Sequence, residues 1–159
     1  DFFRAHAPGF EGAFLILSAP QLGVRHSRRL SGVTRITRAQ WPTAMVFDDE
    51  VGVTPSVSPK FPNISIPYGA LVPQALDGLL ACGRHISCDK NSHGFMREIP
   101  QCWITGQAAG VAAALAVRDG VQPRNVSIAH LQEALLAQGV YLRPTSKTSV
   151  SQAQVAAAT

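Results

Sequence analysis

Residues 79–114 read LLACGRHISCDKNSHGFMREIPQCWITGQAAGVAAA, and this stretch decides the fold. It opens with a compact apolar run, residues 79–82, which predicts a short strand that ends at Gly83. The polar residues 84–98 predict an irregular loop that is rich in side chains able to bind ligands or exchange protons. In open α/β sheets, ligands bind in the crevice outside the carboxyl ends of the strands, so this loop is a candidate site.

A long helix is predicted from Pro100 to about Asp119. Proline suits the first turn of a helix, where its missing N–H costs nothing, and Gly120 suits the left-handed position after the helix end. Four small residues predict a smooth stripe for close packing: Gly106, Ala109, Gly110 and Ala113. The N-terminus of this helix points toward the crevice, where free N–H groups favour an electron-rich carbonyl or an anion.

A second helix is predicted after Ser127, which suits an N-cap, and before Gly139, which suits a helix stop. Its apolar face consists of Ile128, Leu131 and Leu135. The Ser, Thr, Gln and Ala residues from about Pro144 predict a frayed tail.

The first 72 residues predict short strands and a long loop. Residues 13–17 (AFLIL) form an apolar run typical of a buried strand. Residues 21–38 alternate loosely, which favours one or two strands with a bend near Gly32. Five prolines in residues 42–67 break regular structure and predict a long ordered surface loop. Residues 68–72 predict another short strand.

The composition is globular, with 46% hydrophobic and 15% charged residues in a chain of 159. This length fits one domain or part of a larger one. The net charge of +4 is modest, and its clearest cluster is short: Arg25, His26, Arg28 and Arg29. A nucleic-acid binder would show a longer basic stripe, so nucleic acid is not an expected partner. No apolar run is long enough to span a bilayer, so no membrane is expected.

Three cysteines, an odd number without close pairing, favour reduced thiols and a cytoplasmic protein. The start at Asp1 rather than Met suggests a trimmed chain. Zinc-binding residue types occur without the usual spacing, so no metal site is predicted; these residues are His85, Cys88, His93 and Cys102.

Several segments resemble one family in the same order. GRHIS (83–87) and HGFMREIPQCWITGQAAGVAAALA (93–116) are similar to the C-terminal flavin-binding segment of FAD-dependent oxidoreductases with a glutathione-reductase-like fold. The nearest resemblance is to bacterial flavoproteins distantly related to the fumarate reductase flavoprotein group. Four further stretches resemble other parts of that family: APQLGVRHSRRLSG (19–32), FDDEVGV (47–53), IPYGALVP (66–73) and LQEALLAQGVYL (131–142).

The resemblance implies FAD as cofactor and a role for particular residues. Gly83, Arg84 and Ser87 would lie beside the ribityl chain and diphosphate. The start of the long helix would face the flavin N1 and C2 carbonyl with its backbone, through Arg97, Ile99, Pro100, Gln101 and Cys102. Negative charge develops at that edge during reduction, and the helix dipole favours it. The basic segment of Arg25, Arg28 and Arg29 would lie near the flavin or at a domain interface.

His93 is the candidate catalytic residue, because it precedes the helix in the polar loop and histidine can exchange a proton near neutral pH. An ordinary solvated or hydrogen-bonded loop histidine is the alternative. His85 is a weaker candidate for the same chemistry. Cys102, at a helix N-terminus, has the setting of a thiol with a lowered pKa and a redox role.

The predicted fold class is α/β, namely the C-terminal part of a Rossmann-like FAD-binding domain with short strands, a long Pro-rich loop and two C-terminal helices. Residues 1–66 are expected on the substrate side and interface, 67–142 in the FAD-binding domain, and 143–159 in a flexible tail. No Gly-x-Gly-x-x-Gly occurs in the sequence. FAD binding is therefore expected to need an N-terminal FAD-binding segment or another subunit.

Two functions follow as hypotheses. In the first, the chain is part of an FAD-dependent oxidoreductase that transfers hydride between a small-molecule substrate and flavin. In the second, it is a non-catalytic fragment or a binding or assembly module without bound flavin.

Overall fold

Residues 1–55 and 58–144 are described by the computed structural model, and they contain four α-helices and two β-strands. In chain order these are α1 (Phe2–His6), β1 (Glu50–Val53), β2 (Ser65–Pro67), α2 (Lys90–Met96), α3 (Ile99–Asp119) and α4 (Ile128–Ala137). Short 3-10 helices span Arg38–Thr43, Tyr68–Ala70 and Pro123–Asn125. The predicted frayed tail from Pro144 falls almost wholly on residues 145–159, which lie outside the described part.

The bounds of the two C-terminal helices confirm the sequence prediction, but the packing stripe predicted on the first of them is wrong, because Gly110 and Ala113 are exposed. Helix α3 has Pro100 in its first turn and ends at Gly120, whose φ of 65° is the left-handed conformation expected of a C-terminal glycine. Helix α4 begins after Ser127, whose hydroxyl accepts a hydrogen bond from the His130 N–H at 3.4 Å. Both ends are set by local chemistry, so the sequence alone was enough to find them.

The sheet lies where the sequence predicted a loop. Strands β1 and β2 pair antiparallel, with Val53 opposite Ser65, and the register is irregular between Glu50 and Gly52. The prolines of residues 42–67 flank these strands or end them, so they do not prevent the pairing. The mixed helix and strand content agrees with the α/β prediction at this coarse level.

The strand predicted at residues 79–82 is wrong. These residues form no strand, and only one backbone bond, from the Ala81 N–H to the Leu71 carbonyl at 2.8 Å, ties them to a neighbour. The predicted irregular loop instead contains α2, because the Asp89 carboxylate caps its N-terminus by accepting from the Ser92 N–H at 2.6 Å. Within the described residues the apolar run has no neighbouring strand to pair with, whereas the helix in the polar run depends on a local cap at Asp89.

Three other strand predictions also fail. Residues 13–17 are not a buried strand, since Ile16 is 87% exposed and the run has no regular structure. Residues 21–38 contain only isolated bridges, Gly32 to Pro73 and Ile36 to Cys88. The segment predicted as a strand at residues 68–72 begins with a 3-10 turn. Within residues 1–55 and 58–144, none of these segments pairs with a continuous strand.

The core lies where α3 and α4 pack on β1. Its fully buried large apolar side chains come from both halves of the described chain: Ile36, Val51, Ile66, Leu71, Ile86, Met96, Leu131 and Leu135. Helix α3 contributes small residues, chiefly Ala108 and Ala112, which bring its backbone close to the sheet. This packing fixes the position of the α3 N-terminus relative to the loop at residues 83–93.

Arg143 holds the chain after α4 against the sheet. Its guanidinium contacts the Glu50 carboxylate at 2.6 Å and 3.1 Å, and its backbone N–H donates to the same carboxylate at 2.8 Å. Ser65 adds a fourth bond, at 2.5 Å from its hydroxyl. Arg143, the residue at which the sequence placed the start of the tail, is therefore anchored to β1 and β2.

Candidate functional site

Gly83 makes a tight turn beside the first turns of α3. Its φ of +81° is a conformation that glycine adopts without strain. The Gly83 N–H donates to the Thr105 hydroxyl at 2.9 Å, and that hydroxyl lies 2.8 Å from the Gln101 carbonyl, to which it donates. Thr105 is fully buried, so the two segments are held together at a fixed distance. Thr105 is a structural residue of the site that the sequence reasoning missed.

The N-terminus of α3 is left open. Glu98 is its N-cap residue but makes no side-chain capping bond. The first N–H groups of a helix have no intrahelical acceptor and carry the positive end of the helix dipole. Ile99 is 63% exposed and Pro100 is also exposed, so a ligand can approach this end. An uncapped, accessible helix start suits an electron-rich group.

Gln101 adds a buried acceptor in the same turn. The residue is 1% exposed, and its Oε1 atom is the buried side-chain atom within residues 1–55 and 58–144 that has no hydrogen-bond partner. A buried acceptor without a donor costs about 1 to 3 kcal/mol, so such atoms are rare and call for an explanation. A donor from a bound molecule is one explanation, because it would satisfy Oε1.

Cys102 carries a thiol, not a thiolate. Burial raises the pKa of Cys102, and the nearby charge of Arg84 only partly opposes this. Its Sγ lies 3.5 Å from the Arg97 carbonyl, which it contacts as a weak donor. The lowered pKa of Cys102 expected from the sequence is therefore wrong in direction, because desolvation outweighs the nearby charge of Arg84. Arg97 itself pairs with Glu98 at 3.3 Å.

Ser87 lies in the interior, as Gln101 does among the predicted cofactor residues. It is buried, its N–H donates to the Ala70 carbonyl at 3.0 Å, and its carbonyl accepts from the Ile36 N–H at 3.1 Å. A Cβ on Gly32 would come within 2.7 Å of the Ser87 Cβ, so that glycine permits close packing here. Its contact with a cofactor stays a prediction.

His93 lies in α2 under a second imidazole that the sequence reasoning listed only as part of a basic cluster. The rings of His26 and His93 stack with centroids 4.1 Å apart and an interplanar angle of 21°. His93 is buried at 3% exposure, although His26 is exposed. The His93 Nε2 atom lies 3.0 Å from the Arg84 carbonyl oxygen. His93 is thus joined to the Gly83 turn through Arg84.

The basic segment runs alongside the same loop. The Leu30 N–H donates to the His85 carbonyl at 2.7 Å, which fixes the end of the segment against residues 84–87. Arg29 reaches the His26 ring, and its charge also acts on Cys88. The Arg29 and Leu30 end of the segment, the polar loop and the start of α3 therefore lie together. We call this surface, with the exposed Arg25 and Arg28 that precede it in the chain, the basic rim.

The basic rim holds no metal site in the described residues. No three His, Cys, Asp or Glu side chains in residues 1–55 and 58–144 come close enough to hold an ion. The three cysteines are free. Burial raises the pKa of the Cys88 thiol to about 11, so that sulfur is protonated near neutral pH. In the described part of the chain, no helix combines the length and apolarity needed to cross a membrane.

A separate cleft of about 260 Å³ lies between β1, α3 and the end of α4. Its lining includes Gly52, Ile104, Gln107, Gln138 and Tyr141. Small-molecule pockets usually span about 300 to 1,000 Å³, so this cleft is small for a cofactor. None of the predicted site residues lines it. The basic rim, and not this cleft, is therefore the candidate site.

Comparison with known proteins gives a match to a family model. No curated protein and no solved structure matches the chain at a significant level. A family model described as FAD dependent oxidoreductase matches residues 1–135, which is most of the chain. The match supports a flavin oxidoreductase type of function, with FAD as the cofactor. The chain belongs to the FAD-dependent oxidoreductase family.

Proposed function

We propose that this chain supplies the flavin-facing part of an oxidoreductase that transfers hydride between a small-molecule substrate and FAD. The observation that carries the proposal is the pairing of an uncapped α3 N-terminus with the unpartnered, buried Oε1 of Gln101. We further propose that the fold is Rossmann-like and related to the glutathione-reductase-like flavoproteins, on the strength of the ordered sequence resemblance.

The residues present fit the cofactor chemically. The flavin ring offers both acceptor carbonyls and an N–H donor, which complement the free N–H groups of α3 and the Gln101 Oε1 atom. Arg84 on the Gly83 turn and the exposed arginines of the basic rim would balance the negative charge of the phosphate next to the ribityl chain, which FMN also carries. FAD, when bound, supplies a site that accepts or donates hydride.

His93 would hold and release a proton beside this site. Its Nε2 faces the Arg84 carbonyl, which can only accept, so Nε2 must carry a hydrogen. The remaining nitrogen, Nδ1, is then the atom that gains or loses a proton. A buried imidazole with one nitrogen fixed by a carbonyl is typical of histidines that exchange protons in enzymes.

The residues that bind the FAD pyrophosphate are proposed to lie in another segment or subunit. The sequence has no Gly-x-Gly-x-x-Gly, so an N-terminal FAD-binding segment or another subunit would provide them. Residues 67–142 would form the FAD side of the site and residues 1–66 the substrate side. The cytoplasmic location inferred from the cysteines also stays a prediction.

A non-catalytic assembly module is the second candidate. The exposed apolar run of Phe14, Leu15, Ile16 and Leu17 favours it, because such runs on a surface usually mark contacts with other chains. An exposed interface is compatible with either function. Flavin binding at the α3 N-terminus separates them, since a module without flavin would show none.

Replacing Gln101 with methionine is expected to separate cofactor binding from stability. The change removes an unsatisfied buried acceptor and keeps the length of the side chain, so the free energy of unfolding should stay equal or rise by about 1 kcal/mol. The affinity for FMN, which carries the same flavin ring as FAD, should fall at least about tenfold, because the ring N–H loses its acceptor. Urea unfolding and flavin fluorescence titration measure the two effects.

Gln107→Met is the matched control on the same helix. Gln107 is exposed, and its Nε2 donates to the Gln138 Oε1 at 3.0 Å, away from the α3 N-terminus. This control should leave FMN affinity unchanged. Equal loss of affinity in both variants, or no loss in Gln101→Met, would show that the flavin does not bind where we propose.

A further inference from the structure

The His26 and His93 rings form a pair whose hydrogen positions follow from their neighbours. Arg29 NH1 contacts the Nε2 atom of His26, and a guanidinium has donors but no acceptor. Nε2 of His26 must therefore accept, and the hydrogen of this neutral ring is on Nδ1. Arg29 thus holds His26 in the tautomer that a free histidine populates less.

His93 has the opposite arrangement. Its Nε2 lies 3.0 Å from the Arg84 carbonyl, which cannot donate, so this ring carries its hydrogen on Nε2. Its Nδ1 atom is then unprotonated in the neutral ring. The two stacked rings therefore differ in tautomer, although they belong to the same residue type.

Two positive charges cannot share this stack readily. The centroids are 4.1 Å apart, and the His26 ring covers the face of the buried His93. Arg29 on the same segment and Lys90 on α2 add positive charge near His26, and the loop whose Arg84 carbonyl contacts His93 also carries the Arg84 and His85 side chains. Desolvation, followed by the charges of His93, Arg29 and Lys90, lowers the pKa of His26.

We propose that His26 is a positioning residue for His93 and that Arg29, by holding His26 in its Nδ1–H tautomer, keeps the ring that covers His93 neutral. His26 stays neutral because its acceptor nitrogen is engaged by a cation. The neutral ring then covers His93 and keeps its Nε2 on the Arg84 carbonyl. The catalytic meaning of this pair rests on the proposed function, in which His93 exchanges a proton, but the tautomers of the two rings do not depend on flavin.

Long-range nitrogen NMR of the 159-residue chain without added flavin tests the proposal directly. The chain has five histidines, and single substitutions assign their signals. The expected result is an Nδ1–H tautomer for His26 and an Nε2–H tautomer for His93 near neutral pH.

Arg29→Met tests the part played by the arginine, and Arg28→Met removes an equal charge one residue away. With Arg29→Met, the His26 ring should change to the Nε2–H tautomer and should protonate at about tenfold lower proton concentration than in the unmodified chain. Arg28→Met should leave both tautomers unchanged. Identical tautomers of the two rings in the unmodified chain would overturn the proposal.

Substitution of His26 separates positioning from simple packing. His26→Phe keeps an aromatic ring on His93 and should preserve its Nε2–H tautomer, whereas His26→Ala should give a mixture of tautomers. An unchanged His93 tautomer in His26→Ala would also overturn the proposal. Loss of flavin binding in the Gln101→Met experiment has no effect on these signals, so failure of the proposed function and failure of this inference are distinguishable.

Discussion

Replacing Arg143 with methionine should lower the free energy of unfolding by about 3 to 5 kcal/mol. Glu50 is 0% exposed, and Arg143 supplies three of the four hydrogen bonds that its carboxylate accepts. Two of these bonds come from the guanidinium and disappear in the variant, which leaves a buried charge with a single hydroxyl and one N–H. Urea unfolding followed by circular dichroism measures the change.

A double variant shows whether the uncompensated charge is the cause. Glu50→Gln combined with Arg143→Met removes both charges, so it should recover most of the loss. Arg118→Met is the control, because Arg118 pairs with Asp119 on the surface at 2.6 Å and should matter much less. A loss in Arg143→Met no larger than in Arg118→Met would mean that the buried pair does not hold the C-terminal segment.

Replacing Gly52 with alanine should lower the free energy of unfolding by about 3 kcal/mol. A Cβ on Gly52 would lie 2.1 Å from the Cγ2 atom of Ile104, which is stiff because it branches at Cβ. Strand β1 and helix α3 would have to separate, and their contact positions the α3 N-terminus. In an Ile104→Ala background, the same change should cost less than about 1 kcal/mol.

Gly110→Ala is the matched glycine control on α3. A Cβ at Gly110 meets no atom within 4 Å, and the position is exposed in the middle of a helix. The free energy of unfolding should therefore rise by about 0.5 to 1 kcal/mol. If both glycine variants destabilise the chain equally, the close approach of β1 to α3 is not what makes Gly52 necessary.

The helices were predictable because their signals are local. Pro100 and Gly120 mark α3, and Ser127 and Gly139 mark α4, each within a few residues of the helix end. The strands depend on partners far along the chain, so an apolar run such as residues 13–17 could not be distinguished from a surface segment. The same reason explains why β1 and β2 were missed among the prolines.

The candidate site was predictable only in part. The α3 N-terminus, Gly83 and Arg84 lie together, as the resemblance implied, and His93 joins them through the Arg84 carbonyl. The stacking of His26 on His93 could not be predicted, because 67 positions (93 − 26) separate two rings that only the folded chain brings together. The unsatisfied acceptor on Gln101 likewise becomes visible only once its surroundings are known.

Comparing the affinities of the unmodified chain for FAD and FMN tests the central claim most directly. If the described residues hold the flavin end and another segment holds the pyrophosphate and adenosine, the two flavins should bind with dissociation constants within about threefold of each other. Fluorescence titration with both flavins measures this. Binding of neither flavin at millimolar concentration, or FAD binding about 100-fold tighter than FMN, would contradict the claim.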